Sequence, residues 1–537
     1  MQDWPLLVPS ILEHARINHG EQEVVTRTVE GPIHRYTYAE LYGRAKRCAK
    51  ALSKLGVGEG DVVATLAWNT HRHMEAWYGI MGIGAVCHTL NPRLFTEQIV
   101  YIANHAEDQY VFTDLTFVPI CEAIESQCPG IKGFVIMTDR EHMPETRLDN
   151  AICYEDLLAD SDEDFEWTQV EENAACGLCY TSGTTGNPKG VLYSHRSNVL
   201  HALTVNQADA FGLKASEAVM PVVPMFHANA WAIAFAAPMT GTKLVMPGSE
   251  MDGKSIHELL DREQVTFTAA VPTVWLMLLQ HLEENDLSLP HLERVMIGGS
   301  AVPETIVARF EDNYGVTVTH GWGMTEMSPL GTFSAMKPAM SDMSKDDRMK
   351  FKLKQGRAPY MVEMKIVDDD GKELPRDGES FGHLVVRGPA IAKGYYKGEG
   401  GEILDGDGFF DTGDVAHIDE HGFMQITDRA KDVIKSGGEW ISSIELENVA
   451  VGHPDLAEAA VIGIPHPKWD ERPLLICVKN EGTSIDRDGV LEFLQGKIAK
   501  WWMPDDVVFV DEIPHTATGK IQKRTLREQF DGYKLPS

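Results

Sequence analysis

The chain has 537 residues, 43% of them hydrophobic and 24% charged, with eight cysteines and a formal net charge of −32 at pH 7. That length predicts roughly two to four domains with large cores, and the negative field excludes a general binder of nucleic acid or anionic membranes. Sparse cysteines exclude a disulfide framework and fit a reducing compartment.

The first twenty residues hold no basic stretch ahead of an apolar run, so a secretory leader is not expected. The most apolar stretch, 228–239, is too short to span a bilayer. Together these point to a cytoplasmic enzyme. YTYAELYGRAKRCAKALSKLG (36–56) predicts an amphipathic helix closed by Gly56, with Leu41, Ala45, Cys48, Ala49 and Leu52 on one face. DVVATLAW (61–68) reads as a buried strand, and HMEAWYGIMGIGAVCHTLN (73–91) as a helix running into another. The alternation returns at 98–113 and around RVMIGGS (294–300). The expectation is an α/β domain with largely parallel sheets. DSDEDFEWTQVEE (160–172) and SDMSKDDRMKFKLK (341–354) read as charged surface loops. Cys176 and Cys179 form a lone C-x-x-C in an apolar run, so they read as buried strand cysteines rather than metal ligands.

After about residue 365 the texture changes to short strands with Asp-Gly and Gly turns, then a helix (442–454) and a strand (458–465). This predicts a compact α+β domain, with a boundary and hinge at TDRAKDV (427–433). The expected division is 1–428, a hinge at 429–432, and 433–537.

The stretch YTSGTTGNPKG (180–190) follows one apolar strand and precedes another. Gly183 and Gly186 permit a tight backbone with converging N–H groups. Thr181, Ser182, Thr184 and Thr185 add hydroxyls and Lys189 adds charge, so polyphosphate is the natural guest. It is not a P-loop, because Lys189 follows Pro188 instead of glycine and no hydroxyl comes next. HGWGMTEMSP (320–329) offers Glu326 as an Mg²⁺ ligand beside Thr325, and Trp322 as a surface for a base. FFDTGD (409–414) presents Asp414 after a tight turn, suited to ribose hydroxyls. DRAKDVIKSGGEW (428–440) supplies Arg429, Lys431 and Lys435, and PHTATGKIQKRTLR (514–527) places Lys520 after glycine. Each piece is weak by itself; in this order they are specific.

Over nearly its whole length the chain resembles the acyl-CoA synthetases of the adenylate-forming superfamily. PMFHANAW (224–231) and GWGMTEMSPLGT (321–332) are similar to the medium- and long-chain fatty acyl-CoA synthetases. The chain also resembles bacterial ligases that activate 3-methylmercaptopropionate in dimethylsulfoniopropionate breakdown. The resemblance implies ATP and Mg²⁺ for forming an acyl-adenylate, and CoA as the acceptor. It implies that Lys520 is the catalytic cation, that Thr181 and Glu326 sit at the metal, and that 181–189 grips the β- and γ-phosphates. Gly299, His320, Gly321 and Trp322 would surround adenine, and Asp414 and Arg429 would hold ribose. Lys435 and Trp440 match positions near the adenylate, and Lys431 matches a hinge about which the small domain rotates. Gly437 and Gly438 would line the pantetheine channel. His227 and Trp231, with Gly299 and Met324, match the acyl site. The first two, four residues apart, are expected to share a helix face. Family likeness also implies a homodimer. Two alternatives stay open: adenylation that loads a carrier protein, and a nucleotide-binding module without catalysis. A kinase or P-loop ATPase is disfavoured for want of the P-loop ending.

Overall fold

The computed structural model describes residues 1–181, 187–437, 439–480, 482–515 and 521–536. Packing divides the chain into two compact units: Met1–Glu363 with Arg387–Leu404, and Met364–Val386 with Asp405–Ser537.

Among the described residues the first unit holds two large sheets. One has seven strands, in the order Ala151–Cys153, Gly133–Ile136, Tyr110–Thr113, Val62–Leu66, Val86–Thr89, Ala175–Tyr180, Gly190–Ser194. The other has eight strands, with Arg294–Ile297 beside Thr317–Gly323 near one edge. Most pairs are parallel, as alternating strands and helices dictate. The helices Val8–His19, Tyr38–Lys54, His71–Gly82, His195–Val205 and Ile233–Thr240 contribute to one core with residues of both sheets. Tyr38–Lys54 shows why: Thr37 and Glu40 close a capping box, and Leu41, Ala45, Cys48, Ala49 and Leu52 are all buried. Separate apolar clusters cover the outer face of each sheet. The α/β expectation therefore holds for this unit.

The second unit has a four-stranded antiparallel sheet, Glu363–Val367, Gly382–Arg387, Phe410–Ile418 and Met424–Arg429. It also has a five-stranded sheet carrying the helices Ser443–Val451, Arg487–Leu494 and Lys523–Gln529, the α+β texture expected. The expected division at 429–432 cuts through this packed unit. Ser443 N donates to Asp428 Oδ2 at 2.6 Å, and Ser442 Oγ bonds the Thr427 carbonyl, so strand and helix are tied across that point. A pivot of motion is a different property from a break in packing, and the pivot belongs with the proposals below.

Of the two segments expected as charged surface loops, one departs. Residues Lys345–Leu353 form a helix, because Ser344 caps it, Asp346 and Asp347 open it, Lys350 and Lys352 close it, and Met349 is buried beneath. Segment 160–172 is irregular as expected, but Trp167 packs on Gly82 and Glu163 pairs with Arg47. Among the described residues no helix is long and apolar enough to cross a membrane.

Candidate active site

The apolar strands Ala175–Tyr180 and Gly190–Ser194 pair antiparallel, so 181–189 is the tip of a hairpin. Thr181 N donates to the Lys189 carbonyl at 2.9 Å, and Lys189 N donates to Thr181 Oγ1 at 3.2 Å, which pinches the neck of the loop. Ser182, Gly183, Thr184, Thr185 and Gly186 lie outside the described residues. Cys176 and Cys179 are buried in the incoming strand, as expected, and all eight cysteines are free.

Thr325 and Glu326 are buried in the short turn that follows Thr317–Gly323. Tyr193, on the outgoing hairpin strand, donates its hydroxyl to the Thr325 carbonyl at 2.7 Å. Tyr395 donates its hydroxyl to Glu326 Oε1, also at 2.7 Å, and its ring lies 4.8 Å from Lys189 Nζ. Burial, reinforced by the Glu326 charge, pushes the Tyr395 phenol up, so it stays protonated and a donor. The hairpin and the Glu326 turn, with Tyr193 and Thr325 132 residues apart, thus meet through two tyrosines. Sequence reading missed both. A Gly-Tyr-Tyr in a polar stretch has no periodicity that separates a site tyrosine from a packed one.

Gly299, His320, Gly321 and Trp322 assemble at the carboxyl ends of neighbouring parallel strands, where Ile297 pairs with His320. This is where open α/β sheets place ligands. His320 Nδ1 lies 3.0 Å from the Leu353 carbonyl, and burial pulls its pKa down to about 4, so it is neutral near pH 7. Trp322 is buried, and Met324 is half-buried at the turn.

The helix face expected for His227 and Trp231 does not form. Residues Ala228–Ala232 all have positive φ, between 45° and 68°. Left-handed backbone costs a non-glycine residue roughly 1–2 kcal/mol, and strain of this kind gathers at functional sites. It turns the Trp231 indole onto Gly298, where a Cβ would stand 3.0 Å from the ring and 2.7 Å from the Gly321 carbonyl. Trp231 therefore lies beside Gly299, while His227 is half-buried at the start of the turn.

The remaining candidates lie in the second unit. Asp414 and Arg429 are direct cross-strand partners, and Arg429 Nε is 3.0 Å from Asp414 Oδ1. Asp414 sits within the strand Phe410–Ile418, not after a turn. Lys431 and Lys435 are exposed, and Lys435 Nζ is 5.4 Å from the Trp440 ring centroid. Gly437 has φ +63°, and a Cβ there would stand 2.8 Å from the Trp469 ring, so side chains are excluded twice over. Gly438 and Lys520 lie outside the described residues.

The P-loop spelling does occur elsewhere, at GSEMDGKS (248–255), which corrects its expected absence. The structure disposes of it: Asp252 Oδ1 caps the helix Gly253–Arg262 by accepting from Ser255 N at 3.0 Å. A carboxylate thus occupies the N-terminus a phosphate would need.

Residues 12–396 match the AMP-binding enzyme family, and 445–520 match the AMP-binding enzyme C-terminal domain. The 3-methylmercaptopropionyl-CoA ligase of Ruegeria lacuscaerulensis is 49% identical over 530 residues, 99% of this chain and 98% of that protein. The medium-chain-fatty-acid–CoA ligase of Ectopseudomonas oleovorans is 48% identical over 532 residues, 99% of this chain and 97% of that one. ATP-bound MatB from Rhodopseudomonas palustris superposes with a TM-score of 0.83 at 27% identity, covering 99% of this chain and 100% of its own. With likeness running from end to end and the strands on either side of the Gly/Ser/Thr run paired, the chain belongs to the AMP-binding enzyme family, as an acyl-CoA synthetase of the adenylate-forming superfamily.

Proposed function

We propose that this enzyme joins 3-methylmercaptopropionate to CoA at the expense of ATP, releasing AMP and pyrophosphate. The observation that carries the reading is the whole-chain likeness to a 3-methylmercaptopropionyl-CoA ligase. The chemistry follows from the acid: a carboxylate is a poor acyl donor because oxide is a poor leaving group. Its oxygen first attacks the α-phosphorus of ATP, and pyrophosphate departs. The CoA sulfur then attacks the acyl carbon, its proton is lost, and AMP departs.

Two anions must meet in the first step, so positive charge has to be present before they do. Loop 181–189 grips the β- and γ-phosphates, with Lys189 as its cation and Thr181 as an oxygen donor. Lys520 supplies the second cation, at the developing charge. Gly299, His320, Gly321 and Trp322 receive the adenine, and Asp414 and Arg429 the ribose. Trp231, with His227, Gly299 and Met324, borders the acyl group. Lys431 is the pivot between half-reactions, Lys435 and Trp440 attend the adenylate, and Gly437 and Gly438 line the pantetheine path.

The donor set fits Mg²⁺. Glu326 is a buried hard carboxylate whose Oε1 is already held by a phenol, and Thr181 adds a hydroxyl. Among the described residues no three His, Cys, Asp or Glu cluster into a metal cage, so Glu326 and Thr181 are the residues that would hold the ion together with the nucleotide's own phosphates. When bound, the ion neutralises phosphate charge and polarises the phosphoryl oxygens.

A medium-chain fatty acid is the second reading, favoured by the comparable likeness to the medium-chain ligase. We place the enzyme in the cytoplasm as a homodimer, serving dimethylsulfoniopropionate breakdown; sedimentation at the mass of one chain would remove the dimer. A carboxylate panel from acetate to decanoate plus 3-methylmercaptopropionate, scored by kcat/KM for AMP release, tests the substrate. The thioether acid should lead. A lead by octanoate transfers the assignment to fatty acids, and AMP release that needs a carrier protein in place of CoA removes the CoA step.

A further inference from the structure

We infer that Tyr395 is a positioning residue for adenylation, its hydroxyl aiming the Glu326 carboxylate while its ring seats the Lys189 ammonium. The inference rests on the reading of Glu326 and loop 181–189 as the metal and phosphate groups.

Tyr395 lies on segment 388–401, far in sequence from both partners, and the segment is strapped to each of them. Ala392 N donates to the Glu326 carbonyl at 2.8 Å, and Ser328 Oγ donates to the Ala390 carbonyl at 2.7 Å. These bonds fix the backbone of the Glu326 turn, and Tyr395 then fixes the rotamer of its carboxylate at 2.7 Å. On the other side, Tyr395 packs with Cys179, Val191 and Tyr193 of the hairpin strands. A Cβ at Gly190 would stand 2.9 Å from Tyr396 Cβ, so glycine alone lets the strap lie this close to the loop's exit. A Cβ at Gly400 would stand 3.2 Å from Lys189 Nζ, so the strap also leaves room for the ammonium. Beyond Tyr395, Tyr101 donates to Glu399 Oε1 at 3.1 Å, and the Tyr180 hydroxyl is 2.7 Å from His105 Nδ1. Strap and loop entrance are therefore both anchored to the helix Thr96–Ala106.

The consequence is a division of labour on one side chain. The hydroxyl donates to a carboxylate, which leaves that carboxylate's charge intact while restricting its rotation. The ring face attracts a cation without neutralising it. Neither contact consumes the charge that the nucleotide needs.

The test is equilibrium binding, because turnover mixes several steps. Adenosine α,β-methylene triphosphate, which cannot be cleaved at the reacting bridge, is titrated calorimetrically into the full chain with and without Mg²⁺. Tyr395→Phe keeps the ring and its packing and should weaken the Mg²⁺ complex about tenfold, the scale of one hydrogen bond to a charged group. In a Glu326→Gln background the same change should cost less than about twofold, because the amide oxygen that still accepts from the phenol carries no charge to aim at the metal. Tyr395→Leu should lose more than Tyr395→Phe in both backgrounds, since Lys189 loses its seat. Wild-type affinity in Tyr395→Phe, or an undiminished loss in the Glu326→Gln background, overturns the inference alone. Glu326→Gln binding that keeps the full Mg²⁺ dependence of the wild type overturns the metal reading beneath it.

Discussion

The proposed site residues of the large unit and the proposed cations of the small unit are held in opposite ways. In the large unit Glu326, His320 and Trp231 are buried and held by neighbours such as Tyr395, Leu353 and Gly298. In the small unit Lys431 and Lys435 stand in solvent, and the Arg429 side chain is 43% exposed. Burial preorganises a group at the expense of coupling it to stability; exposure leaves a group free to act by reach, with little packing behind it. Substitutions should therefore separate: changes at buried groups such as Glu326 move both rate and melting midpoint, and changes at the exposed small-unit cations move rate alone.

Lys520→Ala is the strongest way to break that contrast. It should cut adenylation by about 10²–10³-fold, the scale of one lost electrostatic stabiliser, and leave the melting midpoint in place. Pyrophosphate exchange measures the first half-reaction, and thioester formation from supplied acyl-adenylate measures the second, which should be spared. Equal loss in both would remove the assignment.

Lys431→Pro comes next. Proline fixes φ and removes an N–H at the proposed pivot, so acyl-adenylate should still form while transfer to CoA slows about tenfold or more. Normal CoA turnover would show that 429–432 is no hinge.

What could be read beforehand follows the same contrast. Periodicity located the helices and strands of the large unit because burial on one face forces a repeat, as at Leu41, Ala45, Cys48 and Leu52. The proposed phosphate loop drew notice because an unusual Gly/Ser/Thr run stands between two apolar strands. The helix Lys345–Leu353 was hidden by its charge, since one buried residue, Met349, makes no stripe. The left-handed run at Ala228–Ala232 was hidden because helical spacing presumes right-handed backbone. The pairing of Asp414 with Arg429 is set by strand register, which neither motif contains.

Acid should find the large unit first. His201 is fully buried, its Nε2 accepts from Leu330 N at 3.3 Å, and burial pulls its pKa down to about 3; His73, His195 and His320 are pulled down to about 4. A buried imidazole whose folded pKa lies below its unfolded value contributes stability that is present above pH 6.5 and lost as pH falls toward the folded value. Asp114, pushed up to about 7 by burial, works in the opposite direction, as do Asp428 and Glu447 of the small unit, raised by burial. His201→Gln keeps an acceptor without a titration. Its urea midpoint should fall less steeply between pH 6.5 and 4.5 than that of the wild type, by about one proton, or roughly 1.4 kcal/mol per pH unit. Parallel curves would show that His201 does not carry the acid response.

The smallest effect expected is the one that sharpens the contrast most. Arg429 forms the exposed half of a pair with buried Asp414, at 3.0 Å, and donates to the Thr412 carbonyl at 3.3 Å. An ion pair with one partner in solvent contributes about 0–1 kcal/mol, so Arg429→Gln should leave the melting midpoint almost unmoved. If Arg429 and Asp414 hold ribose in ground and transition states alike, KM for ATP should rise about threefold to tenfold at unchanged kcat, the signature of lost uniform binding. Asp414→Asn should raise KM further and also lower the midpoint, because its carboxylate is buried. A fall in kcat at constant KM for Arg429→Gln would instead put the guanidinium at the reacting phosphate, the role proposed for Lys520.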